Sequence, residues 1–146
     1  MDKNDIKRSD NIMNRFVKAQ EMDYGMALLE IKSGRKRSHW SWYVFPQVKG
    51  VGYSAISHYY EIKDIAEAKE YIAHPILYPR LIEITSLLLE LDGNIEDIME
   101  NPDYLKLKSS MTLFYLVSGN KLFKKVLDKF YCGEMCEFTK KFVENL

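Results

Sequence analysis

The 146-residue chain has little cysteine, no net charge and no long apolar run. Its two cysteines, Cys132 and Cys136, are too few for a disulfide framework, so we expect two reduced thiols. Lys and Arg number 21 and are balanced by 21 Asp and Glu, which weighs against a general nucleic-acid binder because such proteins carry surplus positive charge. The longest apolar run, residues 86–91, is too short to span a bilayer, and the polar start lacks the apolar stretch of a signal peptide. We therefore expect a cytoplasmic protein outside the membrane.

Several sequence signatures of catalysis are also missing. The chain has no HExxH, no CxxC pair and no cluster of carboxylates, so we predict no metal site. It has no Walker loop, no GxGxxG and no GxSxG nucleophile elbow, so it lacks the marks of a standard NTPase, a dinucleotide dehydrogenase or a serine hydrolase. No cofactor is predicted.

Apolar residues recur at helical spacings along most of the chain. The hydrophobic content of 47% and charged content of 29% are those of a globular domain. We therefore predict an all-α fold, a compact single-domain bundle of about seven to nine short helices over residues 11–146, preceded by a polar tail over residues 1–10. The predicted helices cover approximately residues 12–20, 24–31, 54–61, 64–73, 77–91, 101–118, 122–130 and 138–143. Alternation over residues 40–44 is too short to predict a strand.

The stretch SGRKRSHWSWYVFPQ, residues 33–47, concentrates basic and aromatic groups. Four of its side chains suit an anion site: Arg35, Lys36, Arg37 and His39. The alternative is a solvated loop behind a helix carboxyl end, where cations are mildly favoured. Trp40 and Trp42 strengthen the first interpretation because an indole can stack on a base. Since Trp is more often buried than bound to a ligand, we expect one ring in the core and one in a pocket.

A second group of polar residues lies on the helix predicted over residues 101–118. Lys106, Ser109 and Ser110 share one face of that helix, and Thr112 follows, so these side chains could donate to phosphate or ribose oxygens. The alternative is that small hydroxyl residues allow close helix packing and bond to carbonyls one turn earlier, and the spacing alone favours this alternative. Elsewhere, His74 could be a general acid or base or simply a helix cap, and Arg80 could hold an anion or extend to solvent.

In their order along the chain, these segments resemble a bacterial family known as domain of unknown function 1810. The matching strings are RFVKAQ (15–20), GRKRSHW (34–40), Trp42, FPQ (45–47), GYS (52–54), HP (74–75), RL (80–81), KLKSSMTLF (106–114) and LDKF (127–130). The resemblance covers about residues 12–143. It implies a compact, mainly helical domain without an established activity, and the calpastatin label sometimes attached to this family has no support in these residues. Where the family usually has an Asp shortly after Gly133, this chain reads Glu-Met-Cys-Glu.

The resemblance also implies a shared cleft, because the residues that match are of types that a packed core does not need. Those we predict to bind a ligand are Arg35, Lys36, Arg37, Trp40, Trp42, Gln47, Arg80, Lys106, Ser109, Ser110 and Thr112. The leading hypothesis is a pocket for a phosphorylated small molecule of the NAD or ADP-ribose kind, with binding slightly favoured over turnover. If the protein is an enzyme, we expect a hydrolase or transferase that uses His39 or His74 as acid or base. The alternatives are an RNA- or protein-interaction module built on residues 35–47, and a purely structural role for that segment.

Overall fold

The computed structural model describes the backbone of residues 3–145 and the side chains of residues 12–145. Nine helices and no strand lie in that part of the chain, which confirms the all-α prediction and the predicted number of helices. The helices are α1 (Lys3–Lys32), α2 (Ser41–Val44), α3 (Ala55–Tyr60), α4 (Ile65–Ala73), α5 (Leu77–Leu89), α6 (Ile95–Ile98), α7 (Asp103–Ser118), α8 (Lys121–Tyr131) and α9 (Glu137–Glu144). A single parallel bridge joins Val48 to Ile62.

The first helix differs from the prediction because α1 is continuous from Lys3 to Lys32. The two helices predicted over residues 12–20 and 24–31 are therefore one, and residues 3–10, predicted as a tail, have helical backbone. The physical reason is an unbroken buried stripe at spacings of one, three and four residues: Met13, Phe16, Val17, Gln20, Tyr24, Ala27 and Ile31. This stripe crosses the supposed break without interruption. The helix ends as predicted at Gly34, which has a positive φ of 86°.

Helix α7 lies at the centre of the bundle. It packs against α8 and α9 on one side and against α4 and α2 on others. Six consecutive residues, Ser109 to Phe114, are all buried, which requires contacts around the whole circumference of the helix. Small hydroxyl side chains at Ser109, Ser110 and Thr112 allow this close approach of neighbouring helices.

The segment that follows α1 forms a wall of the core. Residues 40–48 are buried except for Trp42, which is partly exposed. Residues 41–44 form the helical turn α2, so the alternating aromatic residues there do not form a strand. The end of the segment is tied to the chain after α3, where the Ile62 N–H donates to the Gln47 carbonyl at 2.8 Å.

Two polar side chains cap the starts of α4 and α5. The carboxylate of Asp64 accepts the Glu67 N–H at 2.8 Å, which confirms the predicted cap of α4. His74 uses Nδ1 to accept the backbone N–H groups of Ile76 and Leu77 at 3.1 and 3.3 Å, just before α5.

Within residues 3–145, no single helix has both the length and the apolar composition needed to cross a membrane. The pair α4 and α5 meets that requirement only when the two helices are taken together, and they are bent by 85° relative to each other.

Candidate functional site

A cleft of about 540 Å³ opens between α2, the loop before α3, α7 and the start of α9. Its volume lies within the range typical of small-molecule sites. Its lining is mainly apolar with a few polar groups: Trp42, Val51, Gly52, Pro102, Leu105, Lys106, Lys108, Ser109, Cys136 and Glu137. The cleft brings together side chains from residues 42 and 106–109, two segments that are distant in sequence.

Trp42 forms one wall of this cleft, which we call the Trp42 cleft. The ammonium nitrogen of Lys106 lies 4.2 Å from the centroid of the indole ring, within the range of a cation–π contact. On another side, a Cβ at Gly52 would lie 2.6 Å from Cη2 of Trp42 and 2.5 Å from Cβ of Ser57. Glycine at position 52 therefore allows the loop backbone to lie directly against the ring.

A smaller cleft of about 210 Å³ adjoins the first and shares Pro102 and Lys106 with it. We call it the basic cleft. It is lined by Lys36, Arg37, Ser38, His39, Glu100, Asn101, Pro102, Asp103 and Lys106. Lys106 thus lies between the indole of Trp42 and the basic cleft. Arg35 lies outside both clefts, in a shallow depression with Lys36, Arg37 and Glu100.

Carboxylates neutralise part of the positive charge around these clefts. Asp103 accepts hydrogen bonds from Lys36 at 2.7 Å and lies 3.1 Å from Lys106. Burial alone would raise the pKa of Asp103, but hydrogen bonds and charge from both lysines hold it below the ordinary value. Arg35 pairs with Glu100 at 2.7 Å, where both side chains are exposed.

Trp40 and Gln47 line neither cleft, whereas Lys36 lines the basic cleft with an ammonium that the protein itself binds. The Lys36 ammonium also donates to the Ser38 carbonyl and lies 4.8 Å from the Trp40 ring, so its side chain is only 3% exposed. Trp40 is 1% exposed and lies in the core, while Trp42 lines the cleft, which is the division expected for the two rings. Gln47 is buried and lines neither cleft, because residues 40–48 pack as a wall of the core.

Of the three predicted hydroxyl donors on α7, only Ser109 lines the Trp42 cleft. Its Oγ lies 2.7 Å from the Thr139 hydroxyl of α9. Thr112 donates to the Lys108 carbonyl at 2.8 Å and accepts the Cys136 N–H at 2.9 Å, so it links α7 to α9. Ser110 is fully buried on α7. Close helix packing, the alternative favoured by the spacing, therefore explains Ser110 and Thr112.

His74 and Arg80 are not among the residues that line either cleft. His74 is a cap, because its Nδ1 already accepts two backbone N–H groups. The Arg80 guanidinium lies 5.2 Å from the ring of Tyr24 on α1, so its contact is with a neighbouring helix. His39, in contrast, is exposed and lines the basic cleft.

Several residues that shape the site were not predicted from the sequence. Asp103 binds two predicted cations, and its position directly after Pro102, in the first turn of α7, was a usable signal. Cys136 and Glu137 reach the cleft from α9, and nothing in their local sequence indicates that contact. In the described part of the chain, no group of three or more His, Cys, Asp or Glu side chains is arranged to hold a metal ion.

Comparisons with known proteins point to one family. A family model described as protein of unknown function (DUF1810) matches residues 10–143. The crystal structure of the conserved hypothetical protein Rv1873 from Mycobacterium tuberculosis superposes with a TM-score of 0.88 at 42% sequence identity. The match covers 90% of this chain and 96% of that one. No curated protein matches the chain.

Proposed function

The chain belongs to the DUF1810 family, and from its own side chains we propose that it binds a phosphorylated, nucleotide-like small molecule in the Trp42 cleft. The ligand class has a flat ring at one end and phosphate at the other, as in NAD or ADP-ribose. In this arrangement the ring lies against Trp42, and the phosphate extends past Lys106 into the basic cleft.

One observation carries this proposal: Trp42 and Lys106 meet at the boundary of the two clefts. An indole wall in an apolar hollow suits a base, since stacking contributes roughly 1–3 kcal/mol per base. The ammonium of Lys106, which lies over the same ring, suits the phosphate that follows it. Both groups belong to the two segments that resemble the family.

Charge in the basic cleft supports an anionic ligand. The cleft has three cationic side chains, Lys36, Arg37 and Lys106, against two carboxylates, Glu100 and Asp103. One positive charge therefore remains when His39 is neutral. Field focusing in a hollow depends on such local placement, so the zero net charge of the whole chain does not oppose the proposal.

We propose binding in preference to turnover. His39 is the candidate acid or base, since it lines the basic cleft, and any reaction would be a hydrolysis or group transfer on the phosphate-linked ligand. A catalytic base is usually held in position by a hydrogen bond from a neighbouring side chain. No described side chain makes such a hydrogen bond to the His39 imidazole. A protein that senses or sequesters a nucleotide in the cytoplasm needs no oriented base.

The burial of residues 40–48 weighs against the alternative of an RNA- or protein-interaction module. A surface that reads RNA presents its rings and cations to solvent, yet here Lys36 and Trp40 face inward. Arg35 and Arg37 remain exposed, but two exposed arginines alone do not form the surface of rings and cations that RNA binding requires.

Calorimetric titration with ADP-ribose, NAD and AMP tests the proposal, together with a thermal-shift assay. A ligand at one hundred times its Kd adds about 2.7 kcal/mol to the free energy of unfolding, which should raise the Tm by several degrees. Lys106→Gln should weaken binding at least tenfold. The matched control is Lys121→Gln, which removes an exposed lysine at the start of α8. The proposal fails if no nucleotide raises the Tm, or if Lys106→Gln and Lys121→Gln bind equally well.

A further inference from the structure

Asp103 lies between the two lysines nearest the proposed phosphate position. Its Oδ2 accepts from Lys36 at 2.7 Å, and its Oδ1 lies 3.1 Å from the ammonium of Lys106. The side chains of Asp103 and Lys106 retain 20% and 17% exposure, whereas that of Lys36 retains 3%. One carboxylate therefore neutralises two cations. Of the two lysines, only Lys106 is appreciably exposed to the clefts.

Lys36 is fixed by contacts within the protein. It donates to Asp103 and to the Ser38 carbonyl, and its ammonium lies 4.8 Å from the Trp40 ring. Lys106 instead lines both clefts and lies over Trp42. A phosphate that approaches Lys106 must therefore share this cation with the carboxylate of Asp103, which repels it at close range.

We infer that Asp103 determines the charge selectivity of the cleft as an internal counter-ion for Lys106. A single phosphate beside Lys106 gains attraction from the lysine and loses a similar amount to the carboxylate. A diphosphate that extends into the basic cleft also meets Arg37, whose guanidinium has no carboxylate partner among the described side chains. Asp103 thus reserves the site for diphosphate ligands and excludes monophosphates. This inference rests on the proposed function.

Two variants separate the effect of Asp103 from its role in folding. Asp103→Asn removes the negative charge and keeps the shape of the side chain. Because it leaves the ammonium of Lys36 buried without a counter-ion, it can lose stability. The double variant Lys36→Met/Asp103→Leu replaces the buried pair by apolar side chains, which proteins often tolerate well, and leaves the net charge unchanged. Asp92→Asn, at an exposed turn, is the matched control.

Titration of each protein with inorganic pyrophosphate and with AMP tests the inference. The wild type should bind pyrophosphate more tightly than AMP. Both Asp103 variants should bind AMP at least tenfold more tightly than the wild type does, so that the preference for pyrophosphate over AMP narrows, and Asp92→Asn should keep the wild-type preference. The inference is overturned if folded Asp103 variants bind AMP no more tightly, or if their preference for pyrophosphate over AMP is unchanged. Wild-type binding of ADP-ribose reports separately on the proposed function. If ADP-ribose does not bind while Asp103→Asn gains affinity for AMP and loses the preference for pyrophosphate, the nucleotide proposal fails and the selectivity role stands.

Discussion

At the scale of single residues, Glu30 organises the segment that follows α1. Its Oε1 accepts the backbone N–H groups of Arg37 and Ser38 at 2.7 and 2.9 Å and the indole N–H of Trp40 at 3.0 Å. Its Oε2 accepts the Ser38 hydroxyl at 2.6 Å. One carboxylate at the end of a helix thus holds the turn that places Trp40 in the core.

Glu30→Gln should lower the free energy of unfolding by about 1–3 kcal/mol at pH 7. The reason is that the four donors lose a charged acceptor, and hydrogen bonds to charged groups contribute more than neutral ones. Urea unfolding followed by circular dichroism measures the change. Glu21→Gln, at an exposed position on the same helix, is the control and should be nearly neutral. A Glu30→Gln protein as stable as the control would contradict this role.

The same carboxylate should give the protein a measurable acid sensitivity. Burial alone would raise the pKa of Glu30, but its hydrogen bonds with Ser38, Arg37 and Trp40 lower it from 4.5 to about 2. Because the pKa is depressed in the folded state, the stabilisation is complete above about pH 4.5 and is lost as the pH falls toward 2. The difference in stability between wild type and Glu30→Gln should therefore shrink across this interval. An unchanged difference at pH 3 would contradict the assignment.

At the scale of helices, sequence periodicity predicted most of the fold. Six helices, α3, α4, α5, α7, α8 and α9, lie close to their predicted positions, since each has an apolar stripe or a capping residue of its own. The two elements without a prediction, α2 and α6, have four residues each, too few to display a helical period. The false break in α1, at residues 21–23, shows the opposite limit, since the buried stripe continues from Gln20 to Tyr24 across it.

Gly25 and Gly52 should respond to substitution by alanine in opposite directions. Gly25 lies inside α1, and a Cβ there would meet nothing within 4 Å, so Gly25→Ala should raise the free energy of unfolding by about 0.5–1 kcal/mol. Gly52→Ala should lower it by about 1–3 kcal/mol, because its Cβ would overlap Ser57 and Trp42. Urea midpoints of both variants check the pair. The interpretation fails if Gly52→Ala is as stable as the wild type.

At the scale of the whole molecule, Arg15 joins parts of the chain that are far apart in sequence. Its guanidinium donates to the carboxylate of Glu67 on α4 and, at 3.0 Å, to the Glu61 carbonyl before it. Both side chains of the ion pair are largely buried. The pair therefore fixes α1 against α4.

Arg15→Met should lower the free energy of unfolding by about 3–5 kcal/mol, because it leaves the buried carboxylate of Glu67 without a partner. The double variant Arg15→Met/Glu67→Leu should recover much of this loss, since it removes both charges. Thermal and urea unfolding measure both values. Lys124→Met breaks the exposed pair with Asp128 and should cost less than about 1 kcal/mol, which makes it the control. Equal losses in Arg15→Met and Lys124→Met would contradict this role for the pair.

The candidate site was less predictable than the helices because its geometry depends on long-range packing. The sequence indicated the right segments, since Trp42, Lys106 and Ser109 do line one cleft. It could not indicate that Ser110 turns into the core, because a helix enclosed on all sides has no single apolar face. Nor could it place Cys136, which directly precedes α9, in the same cleft as Trp42 of α2, from which most of the chain separates it.

The division between the two tryptophans gives the protein an optical consequence. Trp40 is sealed in the core beside Glu30, while Trp42 stands at the mouth of the cleft under the ammonium of Lys106. The intrinsic fluorescence of Trp40 should therefore stay constant when a ligand binds. The intensity of Trp42 should change with whatever occupies the Trp42 cleft. Trp42→Phe removes the responsive emitter and leaves the constant one as an internal reference.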